Sequence, residues 1–196
     1  AIAQLLSPVS NLVSFSLWDG FWILTILLLI IGLFLLVFKK IKFSWYSLRI
    51  AQFLSILYSF FYVAWGFNYF RPTIESRIGW EKQKPDEDVF RSVLDTIIIR
   101  TNSSHNKISI SDYLSIDELV EESYLKNRAI LGINYPNGTR RPKTMIFSSF
   151  ISKMGVNGYF GPFFNEIHLN HFLLPVDYPF VLAHEKAHQF GIASEA

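Results

Sequence analysis

An α+β fold behind N-terminal transmembrane helices is what this sequence predicts, and three observations carry it. Two uncharged stretches, Phe21–Phe38 and Ile50–Phe67, lie close together near the N-terminus. After Pro72 the composition becomes that of a globular domain, with helical and strand-like periodicities. Near the end, a helical stretch carries two histidines four residues apart with a glutamate beside the first. The expected organisation is a membrane region over residues 1–71 and a globular domain over residues 72–196.

The first uncharged run, FWILTILLLIIGLFLLVF, reaches ~27 Å as a helix, enough to cross a hydrocarbon core. The second is more polar, with Gln52, Ser55 and Ser59, and is bounded by Arg49 and Arg71. Ala51, Ser55 and Ser59 form a small-residue stripe that allows close helix packing in lipid. Trp45, Tyr46, Trp65 and Tyr69 mark its two ends, where aromatic rings favour the interface. Residues 2–17 have apolar positions at helix-like spacing around Pro8. They read either as a surface-lying helix or as the tail of a hydrophobic hairpin. The chain is 51% hydrophobic and 17% charged, and these runs account for the excess of apolar residues.

In the globular part, Asp88–Thr101 shows a helical period, and Ser115-Ile116-Asp117-Glu118 reads as a capping box opening a helix to about Lys126. Asn134–Gly138 reads as a turn. Thr144–Phe147 and Tyr159–Asn170, the latter bent at Gly161-Pro162, read as strands. A final helix starts near Pro179 and is closed by Gly191.

The final helix carries the chemistry. His184-Glu185-Lys186-Ala187-His188 is an HExxH pattern, whose two imidazoles project from one helical face and can meet a single Zn²⁺. Glu185 is placed to act as general base toward an attacking water. Lys186 puts a charge where zinc proteases usually have an uncharged residue. For a third metal ligand the candidates are Glu195 and an acid further downstream. His105, His168 and His171 read as surface or strand residues, and Glu166 as an exposed strand carboxylate or a substrate-cleft residue. A net charge of +2 with no basic stripe gives no reason to expect a nucleic-acid partner. The chain has no cysteine and therefore no thiolate ligand.

These motifs come in a recognisable order. Trp65-Gly66-Phe67-Asn68-Tyr69-Phe70-Arg71 is followed by Arg140-Arg141-Pro142-Lys143, by Gly158-Tyr159-Phe160-Gly161-Pro162-Phe163 with Glu166 and Asn170, and by Pro179–Ala193. The order resembles the bacterial membrane-protein family catalogued as domain of unknown function 3810. The resemblance implies a membrane-embedded N-terminal region, usually of three helices, and a zincin-like metallopeptidase domain with HExxHQxG. It also implies an acidic stretch whose first glutamate matches Glu195. On that pattern the chain reads as truncated at both ends.

The expected function is that of a membrane-anchored zinc-dependent metallopeptidase hydrolysing peptide bonds through a zinc-activated water. Its partners would be the lipid bilayer and a peptide or protein substrate. The alternative is a non-catalytic membrane sensor or scaffold with a structural or vestigial zinc site. The resemblance points to the bacterial cytoplasmic membrane. Lys39, Lys40, Lys42 and Arg49 stand unopposed by acids between the two runs, which puts that loop in the cytoplasm and the globular domain outside. Cysteines replacing Ser44 and Ser103 should therefore react with an impermeant thiol reagent from opposite sides. Labelling of Ser44→Cys alone in intact cells would contradict the orientation.

Overall fold

The computed structural model describes residues 2–81, 84, 86–104, 113–135 and 140–195. His105 and positions 136–138 of the expected turn lie outside them. The fold is mixed α+β, with eight α-helices and a three-stranded sheet among the described residues. The helices are α1 (Ile2–Asn11), α2 (Leu17–Val37), α3 (Phe43–Ala64), α4 (Ile74–Ile78), α5 (Glu87–Ser103), α6 (Tyr113–Asn127), α7 (Ser148–Lys153) and α8 (Tyr178–Gln189). The strands are β1 (Lys143–Thr144), β2 (Gly158–Gly161) and β3 (Glu166–Leu169), in the order β1-β3-β2. β3 runs parallel to β1 and antiparallel to β2.

Two helices, α2 and α3, are long and apolar enough to cross a membrane. α3 begins seven residues before the expected run, because Phe43 to Arg49 continue the helix into the polar loop. The small-residue stripe is not where the two helices meet: Ala51, Ser55 and Ser59 are all exposed. Close approach is made at Gly32, where an added Cβ would lie 2.4 Å from the Tyr46 ring, and Tyr46 donates to Leu29 O at 2.8 Å. Stripe spacing alone does not reveal which face has a neighbour.

Other boundaries follow from local competition. α6 starts two residues before Ser115, so that residue lies inside the helix rather than capping it. The strand expected over Thr144–Phe147 stops at Thr144, and Ile146 and Phe147 turn into α7. Ile146 N–H donates at 2.8 Å to Asp19 of α2, which takes it out of the ladder.

β3 forms the centre of the domain. Ile167 and Leu169 pack against Val181 and Leu182 of α8, flanked by Ile116 and Val120 of α6. Leu182 is fully buried, and its truncation to alanine would cost on the order of 2–5 kcal/mol. A second cluster joins Phe190 and Ile192, just past α8, to Ile133 and Tyr124.

A buried polar cluster ties α1 and α2 to the sheet. Glu166, the first residue of β3, accepts from Trp18 N–H at 2.9 Å, Leu17 N–H at 3.2 Å and Ser10 Oγ at 2.8 Å. Its carboxylate also meets Lys143 Nζ at 2.5 Å, and Lys143 donates on to the carbonyls of Ser10 and Phe15. A carboxylate at the exposed N–H groups of α2 satisfies donors that the helix leaves unpaired. His168 bonds Ser16 Oγ at 2.7 Å, and Tyr159 donates to Asp19.

Burial alone would raise the Glu166 pKa. Hydrogen bonds from His168, Lys143, Trp18 N–H and Ser10 outweigh it and hold the carboxyl at about 2, against an ordinary 4.5. The folded value is depressed, so the stabilisation is complete above about pH 5 and is lost as pH falls through 4.5 toward 2. Its size is roughly 3 kcal/mol. Denaturant unfolding at descending pH should show the wild type losing stability while Glu166→Gln, weaker at neutral pH, changes less. Parallel profiles would contradict this linkage.

Candidate functional site

α8 opens with Pro179 in its first turn, where a missing N–H costs nothing. It closes at Gly191, whose φ of +83° suits glycine. Ile192 N–H reaches Ala187 O at 3.0 Å and Gly191 N–H reaches His188 O at 2.9 Å, the paired bonds of a Schellman ending. Gly191 is needed for space as well: a Cβ there would lie 2.6 Å from Asn68 Oδ1. The reversal turns the following chain back along the helix and carries Glu195 to the histidine face.

His184, His188 and Glu195 come together. The two Nε2 atoms are 3.2 Å apart, with the rings nearly perpendicular at 89°. Glu195 Oε2 lies 3.2 Å from His184 Nε2 and Oε1 lies 3.4 Å from His188 Nε2. One ligand atom from each residue fits within a 4.8 Å span, so the trio could hold a metal ion. His188 Nδ1 is 2.8 Å from Ile192 O. A carbonyl only accepts, so the proton belongs on Nδ1 and Nε2 is left with its lone pair facing the group.

Glu185 points from the same helix toward β2 and is buried at 5% exposure. Burial, assisted by the negative charge of Glu195, pushes its carboxyl up to about 7. Gly158 makes room for it. A Cβ at that position would lie 2.8 Å from Glu185 Oε1 and 2.9 Å from Val181 Cγ1.

Lys186 faces away from the trio and is completely buried. Its Nζ meets Glu121 at 2.5 Å, Asp117 at 2.6 Å and Arg140 O at 3.0 Å. Arg140 in turn pairs with Glu121 at 2.8 Å, and Tyr135 donates to Glu121 as well. Burial would raise the Glu121 pKa, but the bonds from Arg140, Lys186 and Tyr135 outweigh it and lower the value. At Asp117 burial prevails over Lys186 and the value rises. The charge within the HExxH pattern thus locks α8 to α6 from behind, together with Tyr124, which donates to Ala183 O at 2.7 Å.

The remaining residues singled out in the sequence lie apart from the trio. Glu166 and His168 belong to the cluster that holds α1 and α2, and Glu166 lies on the central strand. Among the described residues, the unpaired edge beside α8 belongs to β2. His171 lies in the turn after β3.

Sequence reasoning gave no site role to Gly158, to the Ile192 carbonyl, or to Trp65, whose indole N–H donates to His188 O at 2.8 Å. Gly158 stood within a quoted motif, and spacing carried no sign of what it approaches. The Trp65 contact joins residues 123 positions apart and has no local signature.

A family model described as "Protein of unknown function (DUF3810)" matches residues 1–196, and the chain belongs to that family. No curated protein and no solved structure matches it.

Proposed function

We propose that this DUF3810 family member is a membrane-anchored zinc metallopeptidase, with residues 72–196 as a zincin-like domain outside the cytoplasm. The observation that carries the reading is the convergence of His184 Nε2, His188 Nε2 and the Glu195 carboxylate. Ligands about 2.0–2.1 Å from a tetrahedral centre stand about 3.3 Å from one another. The two Nε2 atoms stand 3.2 Å apart, and Glu195 meets them through different oxygens, Oε2 at 3.2 Å from His184 and Oε1 at 3.4 Å from His188. Two imidazoles and one carboxylate are also the donor set of catalytic zinc sites, which leave a fourth position open.

A zinc ion held by these residues would supply Lewis acidity, polarising the scissile carbonyl and making water a stronger acid. The chain's own residues do the rest. Glu185, on the turn that carries His184, takes the proton from the attacking water and passes it to the leaving amine. The Ile192 carbonyl fixes the His188 tautomer. The Lys186 cluster keeps α8 from rotating, and β2 offers its unpaired edge to an extended peptide backbone.

The protein should bind about one zinc per chain, and His184→Ala or His188→Ala should abolish binding, because each leaves too few strong donors. Elemental analysis showing full occupancy in the double variant would move the metal elsewhere.

Glu185→Gln separates this reading from a non-catalytic sensor or scaffold. The amide is nearly isosteric and is not a ligand, so zinc should remain while turnover of a peptide library falls ~10²–10⁴-fold. Complementation of a deletion strain by Glu185→Gln as well as by wild type would favour the scaffold.

A further inference from the structure

We infer that the site acts preferentially on polypeptide segments that emerge directly from the bilayer, rather than on freely diffusing peptides. This inference rests on the peptidase reading above. Its basis is the height at which the two helices hold the trio.

α2 and α3 are joined by a short loop and meet at Tyr46–Leu29 and at Phe21–Phe53, so the start of α2 and the end of α3 share one end of a hairpin. Both of these ends are fastened to the site's own elements. At the end of α3, Trp65 donates to the carbonyl of His188, which is itself one of the three candidate ligands. Arg71, a few residues on, donates to Gly191 O at 3.4 Å. At the start of α2, Leu17 and Trp18 donate to Glu166, and Asp19 accepts from Ile146 and Tyr159. With attachments to both helices, the domain cannot rise on a stalk without breaking buried polar bonds.

The turn between β2 and β3 reaches lower still. The Phe163 ring lies 5.0 Å from Trp18, 5.7 Å from Phe21 and 5.6 Å from Phe60. Phe21 and Phe60 are each four residues inside their helices, ~6 Å along the axis. Each interfacial layer of a bilayer is about 5–8 Å deep, so this turn reaches the boundary layer itself. The exposed rings of Phe67, Tyr69 and Phe70, on the 3₁₀ turn just past α3, fit the same level. One member of the trio, His188, has its ring centroid 6.4 Å from that of Trp65 at the end of α3.

A peptide bond emerging from a neighbouring membrane helix is held at the height of the site and confined to the same surface. Such confinement raises effective concentration and typically yields gains of ~10²–10⁴ over the untethered partner. A bond displaced by a long flexible spacer loses most of that advantage.

The test uses the whole protein in vesicles of phosphatidylethanolamine and phosphatidylglycerol. The probes are a single-pass helix followed at once by a short randomised segment, the same helix and segment separated by a Gly/Ser spacer, and the free segment. A spacer of about 40 residues places the segment roughly 35 Å away on average. Glu185-dependent cleavage of the bilayer-adjacent probe should exceed that of the free segment by ~10²-fold or more and that of the spacer probe by ~10-fold or more. Equal cleavage of all three would overturn the inference and leave the peptidase reading standing. Absence of Glu185-dependent cleavage from every probe would overturn the peptidase reading, and the inference with it.

Discussion

Two imidazole nitrogens and a carboxylate meet near the end of this chain. The carbonyl of Ile192 claims the proton of His188 at Nδ1, so Nε2 faces inward bare, toward His184 and a carboxylate. A proton lies on the line between two atoms and relieves one such pair. A cation at the centre relieves all three contacts together, which is why this arrangement is the physical core of the account. Gly191 governs it. Without a positive φ at that position the chain would not double back, and neither the Ile192 carbonyl nor Glu195 would reach the helix.

The rest of the domain can be understood as support for that one helix end. Lys186 is a buried cation, which is tolerable only because Asp117, Glu121 and the Arg140 carbonyl surround it. Removing one member would leave a buried charge uncompensated, so the cluster restrains α8 against α6. On the other side, Gly158 lets β2 come close enough to cover Glu185. The α2–α3 hairpin supplies a third support through Trp65 at His188 and through Glu166 at the start of α2. Charge burial in this protein is concentrated where elements distant in sequence meet.

Much of this was legible in the sequence. The two uncharged runs gave α2 and α3, helical periodicity gave α5, and the bend at Gly161-Pro162 separated β2 from β3. The HExxH spacing identified α8, and Glu195 stands in the sequence as a candidate third ligand. Legibility failed where long-range contacts decide the outcome. Glu166 reads locally as an alternating strand carboxylate, but Lys143 and the N–H groups of α2 draw it into a buried anchor. Ala51, Ser55 and Ser59 have the right spacing for a helix contact but are exposed among the described residues, whereas Gly32 finds Tyr46. Lys186 reads as an anomaly until Asp117 and Glu121, more than sixty residues away, are placed beside it.

X-ray absorption spectroscopy at the zinc edge, on protein loaded with one equivalent of zinc, addresses the central claim most directly. The account predicts about four nitrogen or oxygen neighbours near 2.0–2.1 Å, with outer-shell scattering from two imidazoles. A shell of about six oxygens without imidazole scattering, or a site with any other number of imidazoles, would contradict it.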